Sequence, residues 1–304
     1  MLREQDFYRE MTDLVSSNFF QEDLKRTAID FIEYKQKEQA LFGELTVIHY
    51  KMFNGASNEI YTVAAAVELL ILALDIIDDL QDQDNLKTPW LQIDQGISLN
   101  VAIGFLTAGQ QAIFETSFND NDKQRTLKYI QRFLIRSING QHEDLLNTVQ
   151  SEEDYIKMVK KKSGSLIGLA CLIGTSLATS NYHDLVLDYG INIGVIGQIE
   201  NDIRDICRWE VKNDIQKKRK TLPTLYLLRG FSDVDQLIQT YYDGKIDYNT
   251  LLDHKDNVLH LIQKSGALLY ANVILKKYQK KVCNKIKVLP VDETFKANLL
   301  QYVQ

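Results

Sequence analysis

The sequence predicts an all-α fold, and three observations predict it. Only three prolines (Pro89, Pro223 and Pro290) occur in 304 residues, where about 5% is average and proline is the residue that most reliably interrupts a helix. Apolar residues recur at helical spacing in seven segments: Leu24 to Ile32, Val63 to Leu80, Ile97 to Phe114, Leu127 to Leu146, Leu166 to Leu177, Leu185 to Ile206 and Val258 to Tyr278. No comparable stretch alternates with the period of two that a half-buried strand requires.

Turn chemistry separates these segments. NGAS at 54–57 precedes the second and the acidic-polar QDQDNLKTP at 81–89 follows it. SFNDND at 117–122 divides the third from the fourth, and TSNYHD at 179–184 divides the fifth from the sixth. Segments 63–80 and 166–177 are apolar nearly all round, which predicts helices buried within a layered bundle. No repeat, low-complexity tract or linker interrupts the chain, so residues 1–304 read as a single helical domain.

Charge and cysteine usage exclude several function classes. Lys and Arg number 35 against 41 Asp and Glu, a net charge of -6, whereas a polybasic nucleic-acid binder carries a positive balance. Cys171, Cys207 and Cys283 are odd in number and lie at spacings of neither a zinc site nor a disulfide framework. The first ten residues, MLREQDFYRE, are charged from the third onward, unlike a secretory signal. The longest apolar stretch, Val63 to Ile77, is interrupted by Glu68 and Asp75 and reads as too short and too polar to span a bilayer. The expectation is a soluble, cytoplasmic protein without a transmembrane segment and without nucleic acid as a partner.

Two acidic clusters carry the chemistry. Asp75, Asp78, Asp79 and Asp82 stand at i, i+3, i+4 and i+7, which predicts four carboxylates on one side of a helix. Like charges at this spacing cost about 0.2–0.5 kcal/mol per pair, and desolvation beside Leu and Ile costs more, so something cationic must compensate them. Alone, DDxxD also describes a fraying, exposed helix end. A second cluster, GVIGQIENDIRD at 194–205, sets Asn201 and Asp205 at i and i+4, with Asp202 beside them and Gln198 one turn earlier. Two oxygen-rich faces turned into a bundle suit a hard cation, and magnesium bridges a few carboxylates to substrate phosphates. No histidine or cysteine has zinc spacing, and His142, Glu143 and Asp144 lack the second histidine of a zincin helix. Basic residues follow in YIKMVKKKSGSL at 155–166 and VKNDIQKKRKTLP at 211–223, each near the start of an apolar segment and suited to an anionic diphosphate.

DDLQD at 78–82, GQHEDL at 140–145, YIKMVKKKSGSL, GVIGQIENDIRD and DIQKKRKTLP at 214–223 stand in the order and approximate spacing of the trans-isoprenyl diphosphate synthases, a family the sequence resembles over residues 60–225. The resemblance implies an isoprenoid-synthase-type helical bundle around a central apolar cavity, with Mg2+ between two acidic helices and an allylic diphosphate. It places Asp78, Asp79, Asp82, Asn201, Asp202 and Asp205 as metal ligands, with asparagine at Asn201 where the family usually has aspartate. Lys162, Lys212, Lys220 and Gln198 are the diphosphate-binding candidates, and Asp78, Asp82, Asp202 and Lys162 the catalytic ones. Dimerisation is common in the family, and a homodimer is expected on that ground alone.

The chain departs from the chain-elongating members of that family. They hold isopentenyl diphosphate through a GGKxxRP segment near the N-terminus and an Arg-Arg-Gly after the first acidic motif. Here the N-terminal region reads LFGELTVIHYKMFNG, with Lys51 nearby, and QDNLKTPW follows Asp82, with Lys87 and Trp90 bordering the site. Losing a planar guanidinium that grips phosphate bidentately is not conservative. Machinery for the allylic diphosphate is kept and the anchor of the second diphosphate is missing, a pattern that resembles the ComQ-like pheromone isoprenyltransferases of competence quorum sensing. The resemblance implies transfer of a farnesyl or geranyl group to a tryptophan of the ComX pheromone precursor peptide. The alternatives are a short-chain trans-prenyl diphosphate synthase using isopentenyl diphosphate, a terpene cyclase, and a non-catalytic subunit of a heteromeric synthase. In the family, bulk just before the first acidic motif closes the cavity floor; Ala73 and Leu74 stand there, leaving farnesyl and geranyl donors both open.

Overall fold

Turn residues end the helices where the sequence carries them. The computed structural model describes residues 4–83, 86–208, 214–229 and 235–303. Among these residues every regular element is helical: α1 (Glu4–Asn18), α2 (Glu22–Lys35), α3 (Leu41–Met52), α4 (Ile60–Asp82), α5 (Gln95–Glu115), α6 (Asp120–Leu145), α7 (Glu152–Lys161), α8 (Ser163–Ala178), α9 (His183–Asp205), α10 (Leu222–Leu227), α11 (Asp235–Tyr242), α12 (Tyr248–Leu252), α13 (Lys255–Lys264), α14 (Ala267–Lys287) and α15 (Glu293–Leu300). Asn54 and Gln83 take positive φ on either side of α4. Asp94 accepts the Gly96 and Ile97 N–H groups at the start of α5, and Ser151 accepts Asp154 N–H at the start of α7, caps worth about 1 kcal/mol each.

The segment from Val258 to Tyr278, expected to be one helix, is two. α13 stops at Lys264, and Gly266, at φ +88°, opens α14. Apolar spacing carries across the break, but the two helices are bent by 46° from each other and only glycine adopts the backbone at the bend cheaply.

α4 forms the centre, with Val63 to Ala73 and Ile76 almost wholly buried. Its 23 residues, and the 21 of α5, are long and apolar enough to cross a membrane, which corrects the reading of Val63 to Ile77 as too short and too polar. Helical structure extends that stretch at both ends, and its apolar surface is largely covered by neighbouring helices. α8 and α9 pack so closely that a Cβ on Gly194 would stand 2.7 Å from the Gly164 Cα. This approach places the C-terminal half of α9 beside α7 and across the cavity from α4.

Glu68 explains how an acid survives inside α4. It is 3% exposed and accepts the Gly43 N–H at 2.6 Å, supplying the N-terminal cap that α3 lacks from its own Ala40. Burial pushes its carboxyl up to about 7, against the Gly43 hydrogen bond and the charge of Lys35. With the folded value raised above the unfolded one, Glu68 favours folding below about pH 4.5, and this contribution is lost as pH rises through 7. Relative to wild type, Glu68→Gln keeps the acceptor and gains stability as pH rises across this window, by on the order of 3 kcal/mol, measurable by urea unfolding at pH 5, 6, 7 and 8.

Candidate active site

Seven parts of the chain line one cavity of about 740 Å³: the α2–α3 connection, the C-terminal half of α4, the end of α6, the α7–α8 junction, the end of α9, the loop leading to α10, and the turn after α15. Its apolar wall includes Leu74, Ile77, Ile138, Met158 and Leu166. Of the two residues expected at the floor, Leu74 lines the cavity, whereas Ala73 is packed into the core.

The four carboxylates of α4 do not act as one face. Asp75, Asp78 and Asp82 line the cavity, each near a cation, whereas Asp79 points elsewhere and accepts the Trp90 indole N–H at 2.8 Å. Asp79 therefore departs from its expected place as a metal ligand, because one helical residue turns about 100° from its neighbour. Trp90 is 3% exposed and packs edge-on against Phe31 and Tyr34, a core residue rather than a border of the site. Lys87 is exposed, and Lys51 pairs with the Tyr61 hydroxyl and ring, so neither reaches the cavity.

Compensation comes from elsewhere in the chain. Lys162 Nζ lies 2.8 Å from Asp144 Oδ2 and 3.3 Å from Asp78 Oδ1. Arg219 gives Nη1 to the same Asp144 Oδ2 at 2.8 Å and Nη2 to Asp82. Burial opposes the charge on both cations, but the surrounding carboxylates override it and raise their pKa values, while Lys162 and Arg219 overcome burial to lower that of Asp144. Among the described residues Asp78 Oδ1, apart from its ion pair with Lys162, and Gln141 Oε1 are buried without a hydrogen bond. Gly140 permits this assembly: a Cβ there would stand 2.4 Å from the Lys162 nitrogen, so α6 could not approach the α7–α8 junction with any side chain at that position.

Arg219 is set by its loop. Lys217 donates to the Asp82 carbonyl, Asn147 Nδ2 donates to the Lys218 carbonyl at 2.7 Å, and the Tyr242 hydroxyl to the Arg219 carbonyl at 2.9 Å. Between them Lys218 takes φ +54°, with its ammonium 4.7 Å from the Tyr241 ring centre.

The second cluster is built around Asp202, which is 2% exposed. Tyr155 donates its hydroxyl to Asp202 Oδ2 at 2.6 Å, and Gln198 Nε2 donates to Oδ1 at 2.9 Å while its own oxygen accepts from Ser163. Burial pushes the Asp202 carboxyl up to about 7, overriding the Tyr155 hydrogen bond. Asp205 and Asn201 line the same wall, and Arg204 of their own helix turns back to both. Lys220 lines the cavity, and Lys212 lies outside the described residues. No three His, Cys, Asp or Glu side chains among the described residues form a ready-made metal cage.

Sequence reasoning missed Tyr155, Gln141, Asp144, Asp214 and Arg219 as members of the site. All five lie inside the quoted motifs, but spacing could not say which member of each motif turns inward. Arg219→Met, which removes the ion pairs to the nearly buried Asp82 and to Asp144, lowers stability by about 3 kcal/mol, whereas Lys220→Met changes it by under about 0.5 kcal/mol; equilibrium urea unfolding of both variants checks the contrast.

A family model described as polyprenyl synthetase matches residues 37–253. The tryptophan prenyltransferase ComQ of Bacillus spizizenii is 33% identical over 93% of this chain and 99% of its own length. That of Bacillus subtilis strain 168 is 34% identical over 97% and 98%. The crystal structure of a geranylgeranyl pyrophosphate synthase from Corynebacterium glutamicum, complexed with calcium and isoprenyl diphosphate, shares the fold at a TM-score of 0.77 and 20% identity, over 99% of this chain and 94% of that one.

Proposed function

The chain belongs to the polyprenyl synthetase family, alongside the ComQ tryptophan prenyltransferases, and we propose that it moves a farnesyl or geranyl group from its diphosphate to a tryptophan of a pheromone precursor peptide. One observation carries this reading: carboxylates of α4 and α6 pair with Lys162 and Arg219 in a cavity that Asp202 and Asp205 of α9 also line, and whose wall includes the apolar side chains of Leu74, Ile77, Ile138, Met158 and Leu166. That arrangement suits an allylic diphosphate, with the charged head among the cations and the hydrocarbon along Leu74, Ile77 and Leu166.

The donor set fits Mg2+. Magnesium takes one or two carboxylates and completes its shell with phosphate and water. Asp78, with an oxygen that lacks a hydrogen bond, and Asp82 would hold it on α4; Asp202 and Asp205, with Asn201, would hold it on α9. When bound, it draws electron density from the diphosphate oxygens and so eases departure of the leaving group. Lys162 and Arg219 face the same space and stabilise the charge that gathers on the diphosphate as the C1–O bond breaks. The apolar wall keeps water from the allylic cation until indole C3 bonds to C1. Tyr155 and Gln198 hold Asp202 in one orientation throughout.

Leu99, Ile103 and Phe114 lie exposed along one side of α5, an apolar face that a second copy would cover in a homodimer.

The double change Asp78→Ala/Asp82→Ala abolishes transfer in protein that circular dichroism shows to be folded, although it takes one ion-pair partner each from Lys162 and Arg219 and so lowers stability; retained turnover would contradict the metal assignment. The function itself is tested by mass spectrometry after incubating the protein with Mg2+, farnesyl or geranyl diphosphate, and either a tryptophan-containing precursor peptide or isopentenyl diphosphate. A prenyl mass on the tryptophan is the expected result. A longer prenyl diphosphate beside unchanged peptide would assign a chain-elongating synthase instead.

A further inference from the structure

The cations lining the cavity, Lys162, Arg219 and Lys220, belong to its acidic part. A second stretch of wall is different. It is formed where α2 passes into α3, by Gln39, Leu41 and Phe42, and by the turn after α15, with Gln301, Tyr302 and Val303. None of these residues is charged.

This stretch is held in place. Gln39 Nε2 and the Tyr302 hydroxyl both donate to Glu44 Oε2 at 2.7 Å, joining the α2–α3 connection to the C-terminal turn. Glu68 pins the first turn of α3 from below through Gly43. Because the amide nitrogen of Gln39 faces the Glu44 carboxylate, its carbonyl oxygen is the group left to accept. The adjacent lysines are committed: Lys35 bridges Asp75 and Glu38, each at 2.7 Å, and Lys37 lies over the Tyr34 ring. Glu38, Glu44 and Asp75 outnumber these two cations, so the local field disfavours a second diphosphate and accepts a neutral ring that can donate a hydrogen bond.

The geometry points to this stretch as the acceptor subsite, where the indole of the peptide's tryptophan packs on Phe42 and donates its N–H to Gln39 Oε1. The assignment rests on the tryptophan-transfer reading above. In the step itself, the C1–O bond of the allylic diphosphate breaks with its electron pair leaving on the diphosphate, and a bond forms between C1 and indole C3. Positive charge then develops on the indole nitrogen, where the Gln39 carbonyl, backed by the Glu44 carboxylate, stabilises it. The peptide backbone nitrogen next bonds to indole C2, the electron pair of the C2–N double bond returns to the indole nitrogen, and the backbone nitrogen's proton passes to the released diphosphate, which restores neutrality.

The test uses the full chain, Mg2+, an allylic diphosphate, and two precursor peptides, one with tryptophan and one with 1-methyltryptophan, which lacks the N–H. Wild type favours the tryptophan peptide about fivefold in kcat/KM, and Gln39→Leu removes that preference. Phe42→Ala raises the KM for the tryptophan peptide about fivefold, and the KM for the allylic diphosphate stays in place. Persistence of the N–H preference in Gln39→Leu, or a shift confined to the diphosphate KM, would overturn the subsite while leaving the transfer reading standing. Failure of wild type to modify either peptide would overturn the transfer reading itself.

Discussion

Carboxylates from several helices share one end of a cavity, and their mutual repulsion in a partly dehydrated space is the constraint around which the site is arranged. Asp144 is the pivot. A single oxygen of its side chain lies 2.8 Å from both Lys162 and Arg219, and each cation reaches on to a different aspartate of α4. A third carboxylate thus holds two cations against the first acidic helix and joins four parts of the chain: α4, α6, the α7–α8 junction and the loop before α10. In a site balanced in this way Asp78 and Asp82 would be the residues of α4 to hold a divalent cation, while Lys162 and Arg219 line the space that an anionic substrate would take.

The scaffold serves that balance with backbone as much as with side chains. Gly140 lets α6 lie against the α7–α8 junction, and Gly164 with Gly194 lets α9 lie against α8. The loop before α10 is tied at Lys217, Lys218 and Arg219 before it delivers the guanidinium. Asp202, in contrast, is held by neutral donors, so burial raises its pKa where ion pairing lowers that of Asp144. α6 and α9 therefore present carboxylates of different character to the same space.

The wall without charge has equal weight. Family members that build longer prenyl diphosphates and those that modify tryptophan share an allylic diphosphate, so the difference between them must lie where the acceptor sits. In this chain that wall carries Gln39, Phe42 and Tyr302 tied together through Glu44, with Lys35 held by Asp75 and Glu38. Cations absent from the wall and cations locked beside it have one consequence, a pocket that favours an aromatic ring over a phosphate.

The positions of α2, α4, α5, α6, α8 and α9, the two acidic motifs and the basic segments were legible in the sequence, because periodicity, turn chemistry and motif spacing are local properties of the chain, whereas α1, α3, α7, α10, α11, α12 and α15 were not singled out by apolar spacing. Even the need for compensating cations followed from four crowded aspartates. Local spacing could not decide which side chains meet. Asp79 stands beside Asp78 in sequence yet turns to Trp90, and Gly266 divides a continuous apolar pattern into two helices. Asp144 finds Arg219 across 75 positions and Tyr155 finds Asp202 across 47. Those partners were chosen by how closely the helices pack, since an ion pair or hydrogen bond exists only when the backbone brings both groups within about 3 Å.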